Sequence, residues 1–166
     1  MYDMESFKNE CYTFNTIAGK DKDMTLNDLT QQFKLIQEEV EEIGEGLVYN
    51  NPVEVLDGVI DTLVVTLGML QKLENLGFDV KKAMKDTAEN NLSKFIKGDS
   101  GGSTVDDILK VFNSQGIAVK AEYNIDFDVW SFKDKNNKVR KPFTFKPNDL
   151  TDCVPCNILK LGFVDK

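Results

Sequence analysis

Two groups of acidic residues lie near each other in the sequence, at spacings that suit metal-dependent chemistry. The stretch EEVEE occupies positions 38–42, and DGVID occupies positions 57–61 within a segment that is otherwise apolar. Residues three and four apart on an α-helix share a face, so Asp57 and Asp61 are expected to point the same way. A buried carboxylate without a partner is costly, and it is usually paired or bound to a metal ion. The second group therefore indicates a cation site.

Two helices joined by a short turn are the elements that must position these carboxylates. Apolar spacing predicts helices over 25–48 and 52–74. If they pack antiparallel across residues 49–51, the two acidic groups face each other. An all-oxygen set of ligands is a hard site, for which Mg²⁺, or Mn²⁺ in its place, is the expected ion. The expected ligands are Glu38, Glu39, Glu42, Asp57 and Asp61.

Each acidic group also has a simpler interpretation. A run of glutamates such as 38–42 is usually the solvated face of a helix. Residues 57–61 alone could be two exposed positions on an imperfectly buried helix. The two groups together are much more specific than either one, because they are predicted to meet across neighbouring helices.

The rest of the chain predicts a mainly α-helical fold. Further helices are expected over 4–18 and 79–96, so that residues 1–97 form an all-α domain of four helices. Small residues over 98–104 are typical of a flexible linker. Residues 105–166 are expected to form a small α+β appendage with an irregular tail.

The appendage contains a pattern typical of β-structure. A short amphipathic helix is predicted to end at Gly116. The alternation of apolar and polar residues over 121–132 predicts a single strand, and KDKNNK at 133–138 predicts the turn after it. Residues 139–145 are then expected to return as the second strand of a β-hairpin.

Composition excludes several classes of function. The chain has 166 residues, a net charge of −8, no histidine and one arginine. The acidic balance argues against nucleic acid and against an anionic membrane surface as partners. The absence of histidine excludes Ser-His-Asp and Cys-His catalysis and imidazole-based zinc sites. Three cysteines without a recognisable signal peptide favour a cytoplasmic protein with reduced thiols.

Several motifs resemble those of one enzyme family. EEVEEI, VLDGVIDTLVVTLGML and NNLSKF, read in this order, resemble the MazG-like, all-α nucleoside triphosphate pyrophosphohydrolases. The nearest variant is the phage-type group described as phosphoribosyl-ATP pyrophosphohydrolase-like. FNTIAG at 14–19 and NKVRKPFTFKPNDL at 137–150 resemble its first helix and its closing stretch. The resemblance covers residues 10–97 well and 137–150 loosely.

The resemblance implies a four-helix MazG-like bundle that cleaves a nucleoside triphosphate into the monophosphate and pyrophosphate. Mg²⁺ is its implied cofactor, a homodimer or higher homo-oligomer its implied assembly, and Glu39 the expected general base. The expected substrate-binding residues are Asn91, Lys94, Lys141, Arg140, Asn15 and Phe14. One departure concerns Asp57: where a related pattern ends in E-x-x-D, this chain has Gly58 three residues before Asp61.

Alternatives remain for the function and for single residues. The chain could be a non-catalytic nucleotide-binding or regulatory module, or a structural oligomer whose acidic face binds nothing. Lys94 could be a solvated helix end, and Phe14 a core residue at helical spacing. Arg140 and Lys141 could be charges that protect a sheet edge.

Overall fold

The computed structural model describes residues 2–22, 25–98 and 101–156, with the backbone alone for 101–103. Over these residues the chain is mainly helical, with a small antiparallel sheet, which confirms the predicted fold class in this general form. The helices are α1 (Met4–Ile17), α2 (Leu26–Val48), α3 (Pro52–Asn75), α4 (Val80–Leu92) and α5 (Gly101–Ser114). The strands are β1 (Ile96–Lys97), β2 (Val119–Asn124) and β3 (Val129–Asp134).

Local signals explain where α2 and α3 begin. Thr25 caps α2 in a reciprocal capping box with Asp28, whose side chain accepts a hydrogen bond from the Thr25 backbone N–H at 2.9 Å. The side chain of Asn51 accepts from the backbone N–H groups of Val53 and Glu54, and Pro52 occupies the first turn of α3. These starts agree with the sequence prediction within one residue.

The chain divides into two compact units. The first comprises Met1–Val80 and Thr151–Lys166, and the second comprises Lys81–Leu150. The predicted domains, 1–97 and 105–166, stay a prediction, because the two units group the elements differently. Residues 99–100 of the predicted linker and residues 157–166 of the predicted tail lie outside the described residues.

The first unit is built around α3, which packs antiparallel along α2 and also contacts α1. Its described buried apolar residues are few: Cys11, Leu29, Leu67, Val80 and Cys153. The segment after residue 150 joins this unit where the backbone N–H of Asp79 donates to the Cys153 carbonyl at 2.9 Å.

The second unit has a compact apolar core. Val105, Ile108 and Phe112 of α5 pack against Phe132 of β3, and the rings of Phe112 and Phe132 lie 6.0 Å apart. The sheet order is β1-β3-β2, with Ile96 opposite Trp130 and Tyr123 also opposite Trp130.

Two elements of this unit end or begin elsewhere than predicted. The helix predicted over 79–96 ends at Leu92, because Ile96 and Lys97 instead pair their backbone groups with β3. The linker predicted over 98–104 is wrong for residues 101–104, which form the first turn of α5.

The single strand predicted over 121–132 is wrong, because these residues form most of a hairpin. β2 and β3 pair antiparallel through a turn at residues 125–128. The side chain of Asn124 accepts from the backbone N–H groups of Asp126 and Phe127, and Asp128 has a positive φ of 50°. Asn and Asp stabilise turns in this way, so the polar half of the alternation is turn chemistry. The return strand predicted over 139–145 is reduced to one bridge, between Val139 and Lys133.

Candidate functional site

Two glycines let α2 and α3 approach closely. A Cβ added to Gly46 would lie 2.9 Å from the Val55 backbone nitrogen. A Cβ added to Gly58 would lie 2.9 Å from Cγ1 of Ile43 and 3.4 Å from the Glu39 carbonyl oxygen. The contacts therefore run in opposite directions along the two helices, and they bring the backbone of Gly58 against the turn of α2 that carries the glutamates.

Burial and the acidic residues of both groups raise the pKa of Glu39. Its side chain is half-buried, and burial is the main cause that raises its pKa above the usual value. Repulsion from four other carboxylates raises the pKa further, in the order Glu42, Asp61, Glu38 and Asp57. Carboxylates of both helices therefore lie near enough to Glu39 to repel its negative charge.

The other four carboxylates line a side that is open to solvent. Asp61 is half-buried, whereas Glu38, Glu42 and Asp57 are exposed. Within the described ranges, no three Cys, Asp or Glu side chains converge closely enough to hold a metal ion. The chemistry of the donors nevertheless fits a hard divalent cation, since all are carboxylate oxygens and a cation would relieve the repulsion at Glu39.

The position of Asp57 follows from the packing of its neighbour. Gly58 is buried against Ile43 and Glu39, so any side chain at position 58 would collide with α2. A carboxylate three residues before Asp61, as in the E-x-x-D pattern, has no room here. Asp57, one residue earlier and exposed, is the acidic side chain that can reach the open side.

Amide side chains join α1 to the same pair of helices. Asn15 donates to the side chain of Gln71 at 3.0 Å, and Gln71 donates to the Tyr12 carbonyl at 3.2 Å. The buried Gln32 of α2 donates to the Val65 carbonyl at 2.8 Å. Sequence reasoning missed Gln32 and Gln71, because a single glutamine in a helix gives no signal that it is buried.

The side chain of Asn15, on α1, lies beside Gly68 of α3, and this contact gives its distance from the acidic residues. A Cβ added to Gly68 would lie 3.4 Å from the Asn15 side-chain nitrogen. Gly68 is seven residues after Asp61, which is about 10 Å along the same helix face. Phe14 is 60% exposed, and the Lys20 ammonium stands 5.5 Å from the centre of its ring. Phe14 is therefore not a core residue in this chain.

The remaining predicted substrate residues belong to the second unit. Lys94 donates to the Asn91 side chain at 2.6 Å at the end of α4. Arg140 forms an ion pair with Asp134 at 2.7 Å. The exposed Lys141 places its ammonium 4.8 Å from the centre of the Phe145 ring.

The segment after Arg140 is held along α4. Asn90 donates to the Lys146 carbonyl at 2.7 Å, and Asn148 donates to the Thr87 hydroxyl at 3.0 Å. Both contacts lie within the second unit. They bring the predicted closing stretch, 137–150, to the helix that carries the N-N-L-S-K motif.

Comparison of the chain with protein-family models, with curated proteins and with solved structures gave no match. Among the described residues, no helix is both long enough and apolar enough to cross a membrane. The three cysteines form no disulfide.

Proposed function

We propose that this chain is a Mg²⁺-dependent nucleoside triphosphate pyrophosphohydrolase. It would cleave a nucleoside or deoxynucleoside triphosphate to the monophosphate and pyrophosphate. The observation that supports this proposal best is the raised pKa of Glu39, caused by burial and by four carboxylates from two helices. Such a concentration of negative charge at one helix–helix contact is unfavourable for the chain alone, and it suits a site for divalent cations.

The five carboxylates have two roles in this proposal. Glu38, Glu42, Asp57 and Asp61 would hold the ion, with Glu39 as a further ligand. A bound Mg²⁺ supplies charge neutralisation at phosphate oxygens and a more acidic water. Glu39 is the group suited to accept the proton of the attacking water, because its raised pKa brings it nearer to neutral pH than an ordinary carboxylate.

The nucleoside would lie toward the end of α1. Asn15 stands about 10 Å along α3 from Asp61, and the exposed ring of Phe14 can stack on a base. Asn91, Lys94, Lys141 and Arg140 belong to the second unit, and their role as substrate contacts stays a prediction from the resemblance. Arg140 is already paired with Asp134.

The proposal follows the resemblance to the MazG-like family, including a four-helix bundle and a homodimeric or larger assembly. It also locates the enzyme in the cytoplasm, where three free thiols are stable in the reduced form. The substrate is a small nucleotide, and the proposal includes neither a nucleic acid nor a membrane as partner.

The first test measures pyrophosphate release from a panel of nucleoside and deoxynucleoside triphosphates with Mg²⁺. The parent should turn over at least one of them, and Asp61→Asn should reduce the rate roughly 100-fold or more, as expected for loss of a charged group acting on the reacting phosphates. Glu41→Gln is the matched control, because it removes one negative charge from α2 at a position outside the proposed ligand set. Equal rates for the parent and Asp61→Asn, or no turnover by the parent, would refute the proposal.

A second candidate function is a non-catalytic nucleotide-binding or regulatory module. It is favoured by the observation that no three described acidic side chains converge closely enough for an ion. Isothermal titration separates the two candidates, since nucleotide binding by a parent that releases no pyrophosphate supports the module.

Mg²⁺ alone should raise the melting temperature of the parent but not of Asp61→Asn, because an ion that binds only the folded state stabilises it.

A further inference from the structure

Two amide side chains from different helices meet over one glycine of α3. Gly68 is buried, and a Cβ added to it would lie 3.0 Å from Nε2 of Gln32 and 3.4 Å from Nδ2 of Asn15. The missing side chain thus leaves room for both amides against the same turn of α3. We call Asn15 and Gln32 the amide pair.

A backbone carbonyl fixes which way the amide of Gln32 is turned. Its nitrogen donates to the Val65 carbonyl at 2.8 Å, and a carbonyl oxygen can only accept. The amide oxygen, Oε1, therefore lies away from that contact. Gln32 is 8% exposed, and within the described part of the chain Oε1 has no hydrogen-bond partner. An amide oxygen on a side chain this buried is normally paired, so Oε1 is suited to accept a donor from a ligand.

The amide of Asn15 is fixed in the same way, through Gln71. The nitrogen of Gln71 donates to the Tyr12 carbonyl at 3.2 Å, which leaves the oxygen of Gln71 to face Asn15. Asn15 must therefore donate, and its nitrogen lies 3.0 Å from that oxygen. Its own oxygen, Oδ1, is left over, and no residue that the structure describes donates to it. Asn15 is half-buried, so a ligand can reach it from the surface.

The amide pair lies on the same helix faces as the acidic residues. Gln32 precedes Glu39 by seven residues on α2, and Gly68 follows Asp61 by seven residues on α3. Seven residues make nearly two full turns, which is about 10 Å along the helix. That separation is similar to the distance between the phosphates of a nucleotide and the edge of its base. The placement of the phosphates at the carboxylates rests on the proposed function.

We propose that the amide pair selects nucleotides whose base carries an exocyclic amino group. Both free atoms are amide oxygens, which only accept hydrogen bonds, and an amino group donates two hydrogens. Cytosine, adenine and guanine each carry such a group. Uracil carries a carbonyl oxygen where cytosine has its amino group, so it would place oxygen against oxygen with no hydrogen between them. Cytosine and uracil have nearly the same shape, and their comparison therefore isolates this effect.

The test compares the dissociation constants of the α,β-imido analogues of dCTP and dUTP with Mg²⁺, measured by isothermal titration. These analogues resist cleavage between the α- and β-phosphates, so binding is measured apart from turnover. The dCTP analogue should bind roughly tenfold or more tightly, because the wrong base leaves the amide oxygens unpaired. The analogues of dATP and dITP should show the same preference, since dITP has an oxygen in place of the amino group of dATP.

Two variants and one matched control connect the preference to the amide pair. Gln32→Met removes the free oxygen and keeps the length of the side chain, so it should reduce the preference several-fold. Gln71→Met leaves Asn15 able to turn either its nitrogen or its oxygen toward the base, so this positioning residue should also be needed for the preference. Gln31→Met makes the same change at an exposed neighbouring position of α2 and should keep the preference. Circular dichroism checks that the variants fold.

The inference is overturned if the parent binds neither dCTP nor dUTP analogue, binds both equally or prefers the dUTP analogue. It is also overturned if both Gln32→Met and Gln71→Met keep the preference, or if Gln31→Met loses it. The comparison on the parent needs no variant, so it stays decisive where a variant does not fold. Preferential binding without pyrophosphate release would refute the proposed function alone. Pyrophosphate release with equal binding of the two analogues would refute this inference alone.

Discussion

Replacing Gly58 by alanine tests whether the close approach of α2 and α3 organises the candidate site. The added Cβ would lie 2.9 Å from Cγ1 of Ile43 and 3.2 Å from its backbone nitrogen. Real Cβ atoms essentially never show a contact of 2.9 Å, and one of 3.2 Å is tighter than most. The second contact is to a backbone atom, which cannot move aside by a change of rotamer. The two helices must therefore separate by a few tenths of an ångström, at the point where Glu39 meets α3.

Two opposing effects set the size of the change in stability. Alanine in a helix interior is favoured over glycine by about 1 kcal/mol. Overpacking a tight contact costs about 1–3 kcal/mol. The net result for Gly58→Ala should be a loss of about 0–2 kcal/mol, which in a chain of this size lowers the melting temperature by up to about 8 °C.

Gly44→Ala provides the matched control on α2. Gly44 is exposed, and a Cβ added there has no other atom within 4 Å. This variant gains the helix preference without the collision, so it should raise stability by about 0.5–1 kcal/mol. The informative quantity is the difference between the two variants, which should be about 1–3 kcal/mol and which cancels the intrinsic preference for alanine.

The assays are thermal melting followed by circular dichroism, and pyrophosphate release with Mg²⁺. Separating the helices moves Asp57 and Asp61 away from Glu39, so Gly58→Ala should also lower turnover by roughly tenfold, whereas Gly44→Ala should leave it unchanged. Melting temperatures that rise equally in both variants would show that Gly58 is not in tight contact with α2. That outcome would refute the reasoning about the site as well as about the fold.

Two further predictions concern carboxylates with shifted pKa values. Because the pKa of Glu39 is raised, its ionisation destabilises the folded chain as pH rises through that pKa. Glu39→Gln should therefore melt about 1–4 °C higher than the parent at pH 8 in EDTA, but not at pH 4. The same variant should not turn over nucleotide. A Glu39→Gln variant that melts lower than the parent at pH 8 would contradict this. Asp134 has a lowered pKa, chiefly because the backbone N–H of Lys138 donates to it, and Asn136 and Arg140 add to the effect. Its contribution is present above the usual carboxylate pKa and is lost as pH falls through the lowered value. Asp134→Asn should thus lower the melting temperature of the second unit at pH 7, as measured by Trp130 fluorescence. The difference from the parent should shrink as the pH falls below the usual carboxylate pKa and through the lowered one.

Helices α2 and α3 were predictable because their signals are local. The capping box of Thr25 and the first-turn position of Pro52 act within a few residues, and both appear in the structure as the sequence predicts. The hairpin was not predictable in the same way. Asn124, Asp126 and Asp128 fit the polar half of a strand and the residues of a turn equally well, and pairing with β3 decides between the two.

For the two acidic groups, the sequence predicts which helix faces carry the side chains, but it does not predict the packing between the helices. Helical spacing gives the faces of Glu39 and Asp61, because it needs only the geometry of one helix. The closeness of the two helices depends on Gly46 and Gly58, whose role appears only when the partner helix is in place. The burial of Gln32 and Gln71 likewise depends on contacts between helices, which no single stretch of sequence encodes.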